Sequence, residues 1–325
     1  MKRLLLVLMV GLAFGACKKS STDDSGNWIS ESSFEGLPRS SAVSFVLDNQ
    51  VYVGLGYNVN EDNAYMKDFW RLNPTNNSWT KVADFPGDAR SGAVAFVANQ
   101  KAYVGTGYNG KDRLKDFYEY DATANVWTRI ADFAGSARYS AVAFALNEKG
   151  YVGTGDDGND TRDFYQYDPT TNQWVQSVSV GGSKRKSAVT FTIDGKAYVC
   201  TGIDNGVNLT DLWSFDPGTA LWTEKALLTY NSDWTIVRSY GVAFTLNNKA
   251  YVGLGYNSGV RTDMWEYDPV LDTWEVKTAF EGVARQEAIA FVLGAHAYVG
   301  LGRSGSTYFD DIKEFKPNDS YNDED

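Results

Sequence analysis

Few residues in this chain could do chemistry, and their scarcity narrows the possibilities. There is a single histidine, His296, so nucleophilic mechanisms built on a Ser–His or Cys–His pair are excluded. The two cysteines, Cys17 and Cys200, are set apart by context: Cys17 follows an apolar leader, and Cys200 replaces a glycine in a strand-like run. Cys200 reads as a buried, inert thiol that forms no disulfide within the chain. The stretch Asp156-Asp157-Gly158-Asn159-Asp160 looks like a fragment of a calcium loop. It lacks the bidentate Glu that closes an EF-hand site and reads instead as a turn. No metal or other cofactor is implied.

These residues are carried by a repeat. The 37 residues from Arg138 to Trp174 run Arg-Tyr-Ser-Ala-Val-Ala-Phe-Ala-Leu, Tyr-Val-Gly-Thr-Gly, Asp-Phe-Tyr-Gln-Tyr-Asp-Pro and Asn-Gln-Trp. Six copies start at Arg39, Arg90, Arg138, Arg185, Arg238 and Arg285, each 17 residues before the last glycine of a Gly-x-Gly or Cys-Thr-Gly. Five copies place a Trp 11 residues after an Asp: Asp68, Asp116, Asp163, Asp211 and Asp263 lead to Trp79, Trp127, Trp174, Trp222 and Trp274. Alternating apolar and β-branched runs, broken by Asn-Gln and Asp-Gly turns, predict four strands per copy. Small residues early in each first strand suit the crowded strand nearest a central axis.

A repeat near 50 residues with this anatomy marks a propeller blade. The sixth copy lacks its Trp, but Trp28 precedes Arg39 by the usual 11 residues. The segment Asn27-Trp28-Ile29 is therefore predicted to complete blade 6 and close the ring. On its Gly-x-Gly, Tyr-Asp-Pro (Tyr167-Asp168-Pro169, Tyr267-Asp268-Pro269) and Asn-x-Trp elements, the chain resembles the kelch family over residues 27–321. The resemblance implies an all-β, six-bladed β-propeller of four-stranded blades. Copper-radical oxidases on this fold use two His ligands and a Tyr–Cys crosslink, a chemistry that one histidine excludes. The Tyr-Val-Gly-Leu-Gly strands also resemble the periplasmic sialic-acid mutarotases, for which Glu287 and Arg303 would be the catalytic pair.

The ends read differently. Residues 1–16 carry Lys2 and Arg3, an apolar run and Gly-Ala before Cys17, which resembles a bacterial lipoprotein signal with lipidation at Cys17. Residues 17–26 form a polar tether, 27–321 a single propeller and 322–325 an acidic tail. The expected location is the cell envelope, lipid-anchored, in the outer membrane. Loss of Lys2 and Arg3 would take the net charge from -11 to -13, and no basic patch suits nucleic acid. Lys184-Arg185-Lys186, the one basic cluster, reads as a solvated turn. The nine Trp on repeat positions read as filling between blades. The recurring Arg and Asp read as turn caps or blade-to-blade pairs.

Function should lie where copies differ. Loops after strands two and four share one face, and both insertions fall there: Tyr57 to Lys67 in blade 1, and the connection after Trp222, 16 residues instead of 11. The second insertion carries Trp234, an aromatic with no obvious core to fill, and Tyr230. Positions bordering the axis on that face are Tyr57, Asn58, Tyr108, Asn109, Asp156, Asp157, Tyr256, Asn257 and Arg303, joined by Tyr139, Lys186, Tyr240 and Glu287 after the repeat Arg. This aromatic and amide surface suits a glycan or a protein or peptide partner. The expected protein is a monomeric, non-catalytic binding module, with a sugar mutarotase or epimerase and a structural assembly subunit as alternatives. Trp234→Ala and Tyr108→Ala should each weaken ligand binding with nearly unchanged Tm. A large Tm loss in both would make them core residues.

Overall fold

The computed structural model describes residues 25–231, 235–322 and 324. Cys17, the leader, most of the tether and Trp234 lie outside the described residues. Among the described residues there is no helix, and six four-stranded antiparallel sheets make six blades. Blade 1 is typical: Val43–Leu47, Gln50–Gly54, Phe69–Asn73 and Ser78–Val82, paired in sequence order. The first strand alternates buried and half-buried residues, as a strand with one face in a core must. The second is buried along four of its five residues, because it lies between neighbours and between blades.

Blade 6 takes its outer strand from the N-terminus. Asn27–Ser30 pairs antiparallel with Ile312–Lys316, with Trp28 opposite Phe315. Trp28 is fully buried, edge-on to Phe280 at 5.0 Å and against Phe315 at 4.6 Å. The predicted closure is therefore present. Three of the other end-of-repeat Trp also bond between blades: the indole N–H of Trp127, Trp174 and Trp222 donates to Ala83 O, Ala131 O and Val178 O of the blade before.

The repeat Arg is the centre of each blade's packing. Arg90, with no exposed surface, donates to both carboxylate oxygens of Asp116 at 2.6 and 2.8 Å. It also donates to Thr106 O at 3.0 Å and Asp88 O at 2.9 Å, and its guanidinium lies 4.8 Å above the Phe85 ring. Arg39–Asp68, Arg138–Asp163, Arg185–Asp211, Arg238–Asp263 and Arg285–Asp311 repeat the pair. These pairs lie within one blade, so of the two expected roles, turn caps or blade-to-blade pairs, the side chains do not fill the second, and the blades are linked through the backbone. The carbonyl of each Arg accepts the N–H of the preceding blade's last Gly-x-Gly glycine, Gly56 to Arg90 at 2.8 Å and around to Gly302 to Arg39 at 2.9 Å. Trp70, Trp213 and Trp265 donate to the same Asp carboxylates. The basic cluster is not a solvated turn: Arg185 is buried on Asp211, and Lys186 is paired with Asp156.

A second ring of hydrogen bonds surrounds the axis. Ser41, Gly92, Ser140, Ser187, Tyr240 and Glu287 stand two residues after the repeat Arg, with φ between 51° and 59°. Each N–H donates to the equivalent carbonyl of the blade before, from Gly92 to Ser41 around to Ser41 to Glu287, at 2.9–3.0 Å. Cys200 is fully buried, and burial pushes its thiol up to about 12, the inert state expected.

Removing Asp116 would leave Arg90 buried and uncompensated. Asp116→Ala should cost about 3–5 kcal/mol, whereas Lys81→Ala, which breaks an exposed 3.0 Å pair with Asp84, should cost under about 1 kcal/mol. Chemical denaturation checks both. Burial opposes ionisation of Asp68 and Asp263, but Arg39 and Arg238 hold both carboxyls below their ordinary value. Their stabilisation is present above the unfolded pKa near about 4 and is lost as pH falls through the lower folded values. Tm should therefore fall steeply on acidification below about pH 4. An acid-insensitive Tm would contradict this.

Candidate functional site

The face bearing the loops after strands two and four is built from a small ladder on each blade. The residue after the repeat Arg bridges the residue after the Gly-x-Gly, as in Ser40 with Tyr57, Ser91 with Tyr108, Tyr139 with Asp156 and Gln286 with Arg303. That second residue bridges one on the return side of its own loop: Tyr57 with Tyr65, Tyr108 with Arg113, Asp156 with Asp160, Arg303 with Tyr308. Three sequence positions thus meet at the rim of every blade. The return positions were missed by sequence reading because loop length shifts their offset, eight residues from Tyr57 to Tyr65 but five from Tyr108 to Arg113.

Five tyrosines form a continuous arc across blades 6, 1, 2 and 3. Ring centroids are 6.2 Å apart from Tyr308 to Tyr57, 4.9 Å from Tyr57 to Tyr65, 6.1 Å from Tyr65 to Tyr108 and 5.5 Å from Tyr108 to Tyr139. All five are half-buried. The blade 1 insertion makes the arc continuous. It delivers Tyr65, and Asn60 anchors it by donating to Ser306 O of blade 6 at 2.9 Å. Gly110 makes room for that ring: its φ is +95°, and Tyr65 Cε2 lies 2.7 Å from where a Cβ would stand. Burial, then the neighbouring phenols, push the Tyr65 hydroxyl pKa up, so it stays a neutral donor and acceptor.

Inside the arc lies a pit of about 120 Å³ over the axis, lined by Ser41, Ser140, Ser187, Tyr240 and Glu287 with small neighbours. Four of the six left-handed positions are Ser or Gly, and the other two, on adjacent blades, are Tyr240 and Glu287. A non-glycine residue at such a φ is uncommon, and here it sets the two larger side chains of the ring side by side at the pit. Glu287 accepts from Ser40 Oγ at 2.8 Å, Ser41 Oγ at 3.0 Å, and Arg303 Nε and Nη2 at 2.9 and 2.8 Å. Burial would raise its pKa, but Arg303 and the two hydroxyls hold it below the usual carboxylate value. Ser187 Oγ is buried with no hydrogen-bond partner.

A charged cluster ends the arc. Asp156 Oδ1 accepts from Arg113 Nε at 2.9 Å and Gly158 N at 3.0 Å, and Oδ2 from Lys186 Nζ at 2.8 Å. Lys186 also lies 3.3 Å from Asp160 Oδ1, and Arg113 sits 5.7 Å over the Tyr139 ring. Burial opposes ionisation of Asp156, but Lys186, Gly158 and Arg113 hold it at about 2. The calcium-like stretch therefore works as a cation-paired turn.

Tyr57, Tyr108, Asp156, Tyr240, Glu287 and Arg303 are thus brought together. Asn58 is buried, its amide donating to Pro38 O at 2.8 Å and accepting from Asn60 N at 2.9 Å. Asn109 accepts from Lys111 N and Asp112 N, and Asp157 from Ser136 Oγ and Asn159 N, so these residues shape loops. Asn257 meets Asn208 Nδ2 at 3.4 Å, and Tyr256 is an exposed ring on blade 5. In the second insertion, Tyr230 packs 5.8 Å from Trp265, and Leu228 and Ile236 are fully buried, so much of that loop does fill core.

Comparison with known proteins agrees with this architecture. The family model of the KLHDC2/KLHL20/DRC7 Kelch-repeats domain matches residues 27–187 and 136–299. The chain belongs to the kelch-repeat family and is a β-propeller of that kind. It is similar to N-acetylneuraminate epimerase of Shigella sonnei (strain Ss046) and of Escherichia coli (strain K12), 37% identical over 84 residues. That stretch is 25% of this chain and 23% of each relative. The solved structure of YjhT superimposes with a TM-score of 0.71 at 17% identity, covering 86% of this chain and 95% of that one, which is a likeness of fold.

Gly110→Ala should push Tyr65 off the arc and cost about 1–3 kcal/mol through its left-handed backbone. Ligand affinity should fall with it, as measured by calorimetry beside Gly158→Ala, whose Cβ would meet nothing within 4 Å.

Proposed function

We propose that this propeller is a carbohydrate-binding module of the cell envelope, tethered through lipidated Cys17, with its ligand seated on the loop-insertion face. The observation that carries this reading is the tyrosine arc on the same face as the hydroxyl-lined pit, the two meeting where the Tyr139 ring lies 3.5 Å from a Cβ built on Gly92 of the pit wall. Tyrosine offers a rigid apolar face and a hydroxyl that both donates and accepts, which matches the CH faces and hydroxyls of a sugar. Small-molecule sites take this form, mostly apolar with a few placed polar groups.

The second reading, a sugar mutarotase, is favoured by the likeness to N-acetylneuraminate epimerase. Glu287 and Arg303 would then carry the proton transfers. The bidentate pairing argues for binding over catalysis, because a carboxylate with a lowered pKa, bonded on both oxygens, is a weak general base at neutral pH.

A glycan array separates the possibilities, with anomerisation followed by NMR. Binding of one sugar class, lost in Tyr108→Ala at unchanged Tm and without enhanced anomer exchange, is the expected result. Accelerated exchange of N-acetylneuraminate anomers that vanishes in Glu287→Gln would replace the binding module with the enzyme.

A further inference from the structure

We infer that the ligand of this face is a neutral oligosaccharide laid along the tyrosine arc, and not an acidic monosaccharide held in the central pit; this rests on the carbohydrate reading above. Two independent observations lead there. The first is size. The pit, at about 120 Å³, falls well below the roughly 300–1,000 Å³ of pockets that bury a small ligand. It can take one substituent of a sugar, beside Tyr240 and Glu287. The rest of the ligand must then lie on the rim, where the arc offers four consecutive ring-to-ring steps of 4.9–6.2 Å.

The second is charge. Three cations touch the arc or the pit, and each is already committed: Arg303 to Glu287, Arg113 to Asp156, Lys186 to Asp156 and Asp160. With Asp157 beside them, three cations face four carboxylates, a floor of net charge -1. A ligand carboxylate would add charge to this negative floor, and to pair fully with one of these cations it would have to compete with, or break, a carboxylate contact already made. The chain's overall charge of -11 adds long-range repulsion of anions. A neutral hydroxylated chain breaks nothing. Phenols along the arc and Tyr240 at the pit can donate or accept as each sugar hydroxyl requires.

The test is calorimetry on the full-length protein with malto-, cello- and chito-oligosaccharides from one to six units, N-acetylneuraminate, and oligogalacturonates of matched length. One neutral series should gain at least about tenfold in affinity from one unit to four. The acidic probes should bind at least about tenfold more weakly than that tetramer. Neutral binding should change little between about 0.05 and 0.5 M salt. Tyr65→Ala should lower tetramer affinity about five- to tenfold, and Tyr65→Phe, which keeps the ring, should lose less. Asp156→Asn, which removes the carboxylate charge shared by Arg113 and Lys186 while leaving Lys186 on Asp160, should raise oligogalacturonate affinity. N-acetylneuraminate binding as tightly as any neutral chain, or affinity independent of length, would overturn this inference and leave the carbohydrate reading standing. Failure of every sugar to bind would overturn both.

Discussion

The buried guanidinium that opens each blade is the contact on which the rest of the ring rests, because one residue there performs three tasks. Its side chain ties the start of the first strand to the Asp before the third, Arg39 to Asp68 at 2.7 Å and five times more around the ring. Its guanidinium covers an aromatic ring where the chain enters the blade, as over Phe34, Phe85, Phe133 and Phe280. Its carbonyl receives the glycine N–H of the preceding blade. An arginine in water would gain little from any one of these. Buried, its donors leave few alternatives, so blade position is fixed to within hydrogen-bond tolerance.

That fixing is what lets variable loops carry a site. The residue just after each Arg and the residue just after each Gly-x-Gly are pinned beside one another, whatever their side chains. Substituting them changes chemistry at the rim without disturbing the ring, and here the substitutions are graded around the axis. Blades 6, 1, 2 and 3 supply phenols, blades 2 to 4 supply the Arg113–Asp156–Lys186 cluster, and blades 5 and 6 supply Tyr240 and Glu287. The left-handed backbone under Tyr240 and Glu287 is held by the closed ring of N–H···O bonds, which offsets its strain.

Much of the fold was legible in the sequence because its determinants keep fixed spacing. The Arg-to-Gly interval of 17 and the Trp-to-Arg interval of 11 led to blade number and the role of Trp28, and the alternating apolar runs between them to the strand count. Which Asp each Arg would meet was not legible, since nothing in the spacing distinguishes an Asp of the same blade from one next door. About half of the site was legible. Tyr57, Tyr108, Asp156, Tyr240, Glu287 and Arg303 stand at constant offsets from repeat landmarks, whereas Tyr65, Arg113 and Tyr308 lie across loops of unequal length. Asn58 looked like an exposed polar arm because composition does not reveal that both ends of its amide are consumed by its own loop.

The most direct test of this account is a crystal structure of the protein grown with malto-, cello- and chitotetraose. Sugar density running over Tyr57, Tyr65 and Tyr108, with one substituent dipping toward Tyr240 and Glu287, is the predicted result. Density confined to the opposite face, or to the groove between blades 3 and 4 beside Val175 and Phe215, would contradict it.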